Sequence, residues 1–142
     1  MEVIKLLEKE NFYIIYKLHP GEYQSWEETY PWLKNERIKV IFDSKKNIYD
    51  YFAISDIQIG VYSTAIYEGL GFNLQTLILR VGHYEIMQPL IEAGYAQYVD
   101  NATDIVKYIR KNQNTCLIEQ EFWKSNALKN MELEIKKILT SS

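Results

Sequence analysis

The stretch Asp56-Ile-Gln-Ile-Gly-Val-Tyr-Ser-Thr-Ala-Ile-Tyr-Glu-Gly-Leu-Gly71 decides how this chain is read. Ile57 to Val61 is short, apolar and β-branched, the pattern of a strand buried on both faces. A tight turn follows, and Ser63 and Thr64 stand where a helix begins. A helix start offers unpaired N–H groups, and two hydroxyls beside them suit a phosphate. Glu68 lies four residues after Thr64, so both point the same way. Phosphate ligands and a carboxylate able to grip sugar hydroxyls on one edge suggest a nucleotide-sugar site. Gly69 and Gly71 are expected to end the helix.

Outward from this unit, the chain alternates strands and helices. Before it come a short amphipathic helix over Glu2 to Lys9, a strand over Phe12 to Leu18 and the breaker His19-Pro20-Gly21. Glu22 to Leu33 reads as one or two helical turns, with Trp26 and Tyr30 one turn apart and Pro31 as the break. A strand over Ile38 to Phe42 precedes a helix over Lys46 to Ile54, capped by Asp43 or Ser44, with Ile48 and Phe52 inward. After it, Leu74 to Val81 is a strand, Tyr84 to Ala93 a helix closed by Gly94, and Tyr95 to Val99 a short strand. Asp100 or Asn101 caps a helix running to about Lys111, with Ile105 and Ile109 inside. A last helix spans roughly Glu121 to Leu139, where Leu128, Met131, Ile135 and Ile138 form an apolar stripe. Strands alternating with helices predict an α/β fold: a Rossmann-like, doubly wound, mostly parallel sheet of five to six strands with helices on both faces.

Composition bounds the partners. At 142 residues there is room for one domain, taken here as residues 1–142. The net charge of −3 argues against a nucleic-acid binder, which shows a basic face. One cysteine, Cys116, gives neither an internal disulfide nor a cysteine-based metal site, and fits a reducing cytoplasm. No apolar run approaches a membrane span. The twelve tyrosines fit a carbohydrate-facing surface, and equally an A+T-rich coding sequence.

Several familiar devices are absent: the Walker phosphate loop, the dinucleotide fingerprint (Gly69-Leu70-Gly71 follows a helix and lacks a third glycine), zinc motifs and the nucleophile elbow. Two strand ends remain informative. His19-Pro20 follows the first strand and Ser63-Thr64 the third, and in a doubly wound sheet such loops meet in one crevice. An imidazole there can donate to a phosphate oxygen or protonate a leaving phosphate. Arg80, at the fourth strand's end, reads equally as a phosphate partner or a surface ion pair, and His83 after Gly82 reads first as a loop residue, with a place lining the same crevice as the alternative.

Lys17-Leu-His-Pro20, Asp56, Tyr62 to Gly71 and the strand Thr76 to Arg80 resemble the C-terminal, donor-binding half of GT-B glycosyltransferases. The likeness covers roughly Tyr13 to Asn112 and is greatest to bacterial capsule and surface-polysaccharide enzymes, the polysialyltransferase-like and CDP-glycerol glycerophosphotransferase-like groups. Tyr62 stands where relatives often carry Asp or Thr. The resemblance implies that His19, within His19-Pro20, contacts the donor phosphate and assists nucleotide departure. It implies that Ser63 and Thr64 bind phosphate oxygens and that Glu68 holds ribose hydroxyls, with no metal or other cofactor required. It implies a CMP-, CDP- or UDP-linked donor, and a glycan or lipid-linked acceptor held by an N-terminal half that this chain lacks. On that reading the chain is a fragment or split subunit, inactive alone, of a cytoplasmic enzyme at the inner face of the membrane. A UDP-N-acetylglucosamine 2-epimerase-like fragment and a non-catalytic α/β binding module stay open as alternatives.

Overall fold

The computed structural model describes residues 2–10, 12–112 and 126–140. The chain runs α1 (Glu2–Lys9), β1 (Ile14–Lys17), α2 (Trp26–Thr29), β2 (Ile38–Ile41), α3 (Ile48–Phe52), β3 (Ile57–Gly60), α4 (Thr64–Leu70), β4 (Gln75–Leu79), α5 (Gln88–Glu92), β5 (Gln97–Val99), α6 (Ala102–Asn112) and α7 (Ala127–Thr140). Short 3-10 turns sit at Pro20–Glu22, Pro31–Leu33 and Tyr84–Met87. The class is α/β, and every strand pairing among the described residues is parallel.

The strands form two small sheets where a single larger one is expected. β1 pairs with β2, and β4 lies between β3 and β5. No ladder joins β1 to β3 among the described residues. The sheets share a core through side chains. On α1, Ile4 packs into the cluster of Leu18, Trp26, Leu33 and Ile38, while Leu7 packs with Leu77, Val99, Ile105, Val106 and Ile109. Ile14 borders both clusters. The i, i+3 spacing that makes α1 amphipathic thus gives each sheet its own residue from one helix.

The three-stranded sheet is covered on both faces. Successive residues of a strand point to opposite sides. Leu77, wholly buried, faces α1 and α6, and Ile78, wholly buried, faces Ile66, Leu70, Met87 and Leu90 of the other layer. An ion pair between Arg110 and Glu10 closes the α1–α6 side at the surface.

Several local expectations are corrected. The cap of α3 is Asn47, whose side chain accepts from Tyr49 N at 3.2 Å, and not Asp43 or Ser44. The helix therefore starts later, and Tyr51 is its buried residue, with Ile48 and Phe52 half-buried on the same i, i+3, i+4 face. Lys39 sits over the Tyr51 ring at 5.5 Å, on the side of β2 opposite Ile38 and Val40. Of the two caps expected for α6, Asn101 is the one used: it accepts from Asp104 N at 3.1 Å and donates to the Asp104 carboxylate at 2.9 Å.

Gly71 closes α4 in ordinary right-handed geometry, and Asn73 supplies the left-handed residue at φ 58°. Gly69 lies inside α4 for another reason: a Cβ there would stand 2.2 Å from Gln58 Oε1. The Gln58 amide donates to Ile66 O and to Thr76 Oγ1, each at 2.8 Å, and Thr76 donates to Leu74 O at 3.0 Å. This amide network is why a helix tolerates glycine at that point.

α7 begins after Asn126, itself at φ 58°, and Met131, Ile135 and Ile138 of the expected inner stripe are exposed. The side chain of Leu128, residues 121–125 and Cys116 lie outside the described residues. No helix among the described residues is long and apolar enough to cross a membrane.

Candidate functional site

The His19 turn is built by a reciprocal cap. His19 has extended backbone (φ −67°, ψ 143°) and Pro20 opens the 3-10 turn, where its ring costs no hydrogen bond. The His19 Nδ1 accepts from Gly21 N at 3.2 Å, and the His19 N–H donates to Glu22 Oε2 at 2.8 Å. Glu22 Oε1 accepts from the Tyr30 hydroxyl at 2.6 Å. With Nδ1 engaged as an acceptor, the neutral ring carries its proton on Nε2. The exposed side chain therefore offers one N–H in a fixed direction.

The Tyr30 hydroxyl, then the His19 N–H, hold the Glu22 carboxyl below the usual carboxylate range, and the same bond pushes the Tyr30 hydroxyl up. A lowered folded value means that the carboxylate stabilises the turn above the ordinary carboxylate range and loses that contribution as pH falls through the lowered value. The protection of the His19 amide, measured as its exchange rate relative to an unstructured amide at the same pH, is expected to be high near neutral pH and to fall in acid below that range. Glu22→Gln should exchange faster at neutral pH and flatten the dependence. An unchanged profile in Glu22→Gln would remove Glu22 from the turn's support.

Glu22 is a residue that sequence reading passed over. The signal was present: His19-x-x-Glu22 before a proline-led turn has the spacing of a capping box, with imidazole in place of a hydroxyl. Lys17 reinforces the same strand end, donating to Leu18 O at 2.9 Å and to the Tyr23 hydroxyl. Tyr23 reaches the carbonyl of Asp43, beyond β2, at 3.5 Å.

The second turn follows β3. Ser63 is extended (φ −173°, ψ 149°) and its Oγ accepts from Ala65 N at 3.2 Å, so it is the N-cap of α4. That bond uses a lone pair and leaves the hydroxyl proton to donate outward. Ser63 and Thr64 are exposed, and Glu68 is half-buried on the same helix. Neither the Thr64 hydroxyl nor the Glu68 carboxylate forms a hydrogen bond or ion pair among the described residues. α4 has seven residues, so the hydroxyls and not a long helix dipole are what this turn offers an anion.

Across β4, His83 meets the Tyr62 ring edge-to-face at 5.9 Å. Arg80 is committed elsewhere: its Nε donates to Asp100 Oδ1 at 2.6 Å and a terminal nitrogen donates to the other oxygen. The guanidinium also lies over the Tyr98 ring at 5.9 Å. That bond to Arg80 lowers the Asp100 carboxyl from its ordinary value.

His19 and Pro20 thus lie at the C-terminal end of β1, and Ser63, Thr64 and Glu68 follow the C-terminal end of β3. No hydrogen bond, ion pair or ring contact among the described residues connects the two turns directly. Among the described residues no three His, Cys, Asp or Glu side chains converge as metal ligands. Comparison with family models, with curated proteins and with solved structures found no match.

Proposed function

We propose that this chain is the donor-nucleotide-binding domain of a glycosyltransferase or glycerophosphotransferase of bacterial surface-polysaccharide synthesis, the C-terminal half of a GT-B architecture. The observation that carries this reading is the fixed imidazole of His19. Its Nδ1 is held by Gly21 N, so Nε2–H is available to an anion just beyond a parallel strand. The C-terminal edge of parallel strands is where open α/β sheets take ligands. The Ser63 hydroxyl, with its proton free to donate, supports the same reading.

On this reading the two sheets act as halves of one doubly wound layer, and the His19 and Ser63 turns face one crevice. An acceptor oxygen attacks the donor carbon, and the bond from that carbon to the phosphate oxygen breaks. In the glycerophosphotransferase variant, attack falls on the transferred phosphorus. Charge develops on the departing nucleotide phosphate, and donors aimed at that oxygen lower the barrier most. His19 Nε2–H is the leading donor, Ser63 and Thr64 hold neighbouring oxygens, and Glu68 accepts from ribose hydroxyls. The acceptor, a glycan or lipid-linked chain, belongs to a second half, and catalysis takes place on the cytoplasmic side of the membrane. The net charge of −3 argues against a nucleic-acid surface, which shows a basic face.

Titration calorimetry with CMP, CDP and UDP tests the proposal. His19→Ala and Ser63→Ala are each expected to weaken binding by about tenfold or more, as loss of a charge-assisted bond does. Unchanged affinity in both variants would end the site assignment. A folded protein that binds none of the three would be a non-catalytic α/β module.

A further inference from the structure

Tyr62 and His83 bring two aromatic rings together beyond the C-terminal ends of β3 and β4. Tyr62 is 50% exposed, in the turn between β3 and α4, and His83 is exposed in the loop after β4. Gly82 precedes His83 at φ +57°, a left-handed turn, and a Cβ at Gly82 would meet open space. The two rings meet at 5.9 Å and 72°, an edge-to-face contact between two loops. Such a contact fixes a ring's orientation while leaving a face uncovered. Neither ring anchors a helix: the Ser63 hydroxyl does so for α4, and His83 makes no side-chain cap.

The surrounding charge narrows what the pair can take. Arg80, the strand-end cation of β4, is paired with Asp100 and lies over the Tyr98 ring. Glu85 follows His83 closely in the chain. The rim beyond β4 therefore offers aromatic surface without a free strand-end guanidinium, which favours an uncharged planar ring over a phosphate. Tyr62 directly precedes Ser63, so the ring and the hydroxyls of residues 63 and 64 belong to the same turn between β3 and α4.

We infer that Tyr62 is the stacking platform for the base of the bound nucleotide, with His83 as the buttress that sets its orientation. The inference rests on the nucleotide-binding reading above and deepens it: the phosphate is bound by the hydroxyls, and the base by this aromatic pair. Stacking on an aromatic side chain is tolerant of base identity, because every base has a π-face. The pair thus supplies affinity for the nucleoside, and selection among bases falls to other groups.

The test compares CMP and UMP with ribose 5-phosphate, which lacks the base, by titration calorimetry, with circular dichroism confirming the fold of each variant. The wild-type chain should bind the nucleotides more tightly than ribose 5-phosphate. Tyr62→Ala should lose roughly tenfold in nucleotide affinity, keep its affinity for ribose 5-phosphate, and so erase the difference. Tyr62→Phe should retain it. In proton NMR of the wild-type complex, the base protons should move upfield under the ring current of the platform, a readout independent of any variant. Unshifted base protons, unchanged nucleotide affinity in Tyr62→Ala, or an equal loss for ribose 5-phosphate would each overturn the platform. If Ser63→Ala still weakens nucleotide binding, the phosphate reading survives that failure. Should neither nucleotide nor ribose 5-phosphate bind the folded wild-type chain, both readings fall together.

Discussion

Leu77→Ala is expected to cost about 2–5 kcal/mol of folding stability, the range for truncating a fully enclosed aliphatic side chain. Leu77 has no exposed surface and sits on β4, the middle strand of the three-stranded sheet, against Leu7, Val99, Ile105, Val106 and Ile109. Helices α1 and α6 both pack over it, so a void there is walled by two elements tied to each other at the surface by Arg110 and Glu10. Such walls collapse poorly, and the loss should fall towards the upper part of the range. Urea unfolding measures it: the midpoint should drop with little change in slope. Leu139→Ala is the matched control. The same residue type at 72% exposure on α7 should change stability by no more than about 0.5 kcal/mol. A loss below about 1 kcal/mol at Leu77 would mean that the central layer is not packed as described.

Gly69→Ala tests a different kind of packing. In an ordinary helix interior, alanine in place of glycine is favourable by about 1 kcal/mol. Here the added methyl would stand 2.2 Å from Gln58 Oε1, and Gln58 is held by Ile66 O and Thr76 Oγ1. The amide has to leave, which strips partners from half-buried and buried acceptors at roughly 1–3 kcal/mol for an unsatisfied group. The net expectation is a destabilisation of about 2 kcal/mol in thermal or urea unfolding. The double-mutant cycle isolates the cause. With Gln58→Ala already present, Gly69→Ala should turn neutral or stabilising, because only the helix propensity is left. A stabilising Gly69→Ala in the wild-type background would show that the amide does not occupy that space.

These two sites illustrate what could be read in advance. Leu77 and Ile78 stand in an apolar run, Leu74 to Val81 with few polar breaks, and that run announces a strand buried on both faces. The face each residue takes also follows, since alternate side chains point oppositely. Gly69 is the opposite case. Beside Gly71 after an apolar helix, it looks like a terminator, and nothing local reveals that a glutamine eleven positions earlier lies against it. Only the docking of α4 on β3 brings Gln58 to that point.

The candidate site divides in the same way. Ser63 as a helix cap was legible from its position before Thr-Ala-Ile-Tyr, because capping is a local event decided within a few residues. His19 as a strand-end residue was legible from the Pro-Gly that follows. The tautomer that gives His19 its donor was not, since it depends on the hydrogen bond made by Nδ1 to a backbone N–H of the folded turn. Arg80 illustrates the limit as well: its pairing with Asp100 joins residues 20 apart in sequence, which only the β4–β5 register makes neighbours.

The chain's own letters determined the alternation of strand and helix, the parallel α/β class and the turns where chemistry is sought, because burial periodicity and capping are short-range. Tertiary structure decided the division into two sheets, the burial of Tyr51 on α3, the exposure of the α7 stripe and the meeting of Tyr62 with His83. Each of those depends on which surfaces find one another across tens of residues, and hydrophobic attraction, being non-directional, leaves that choice to the assembled core.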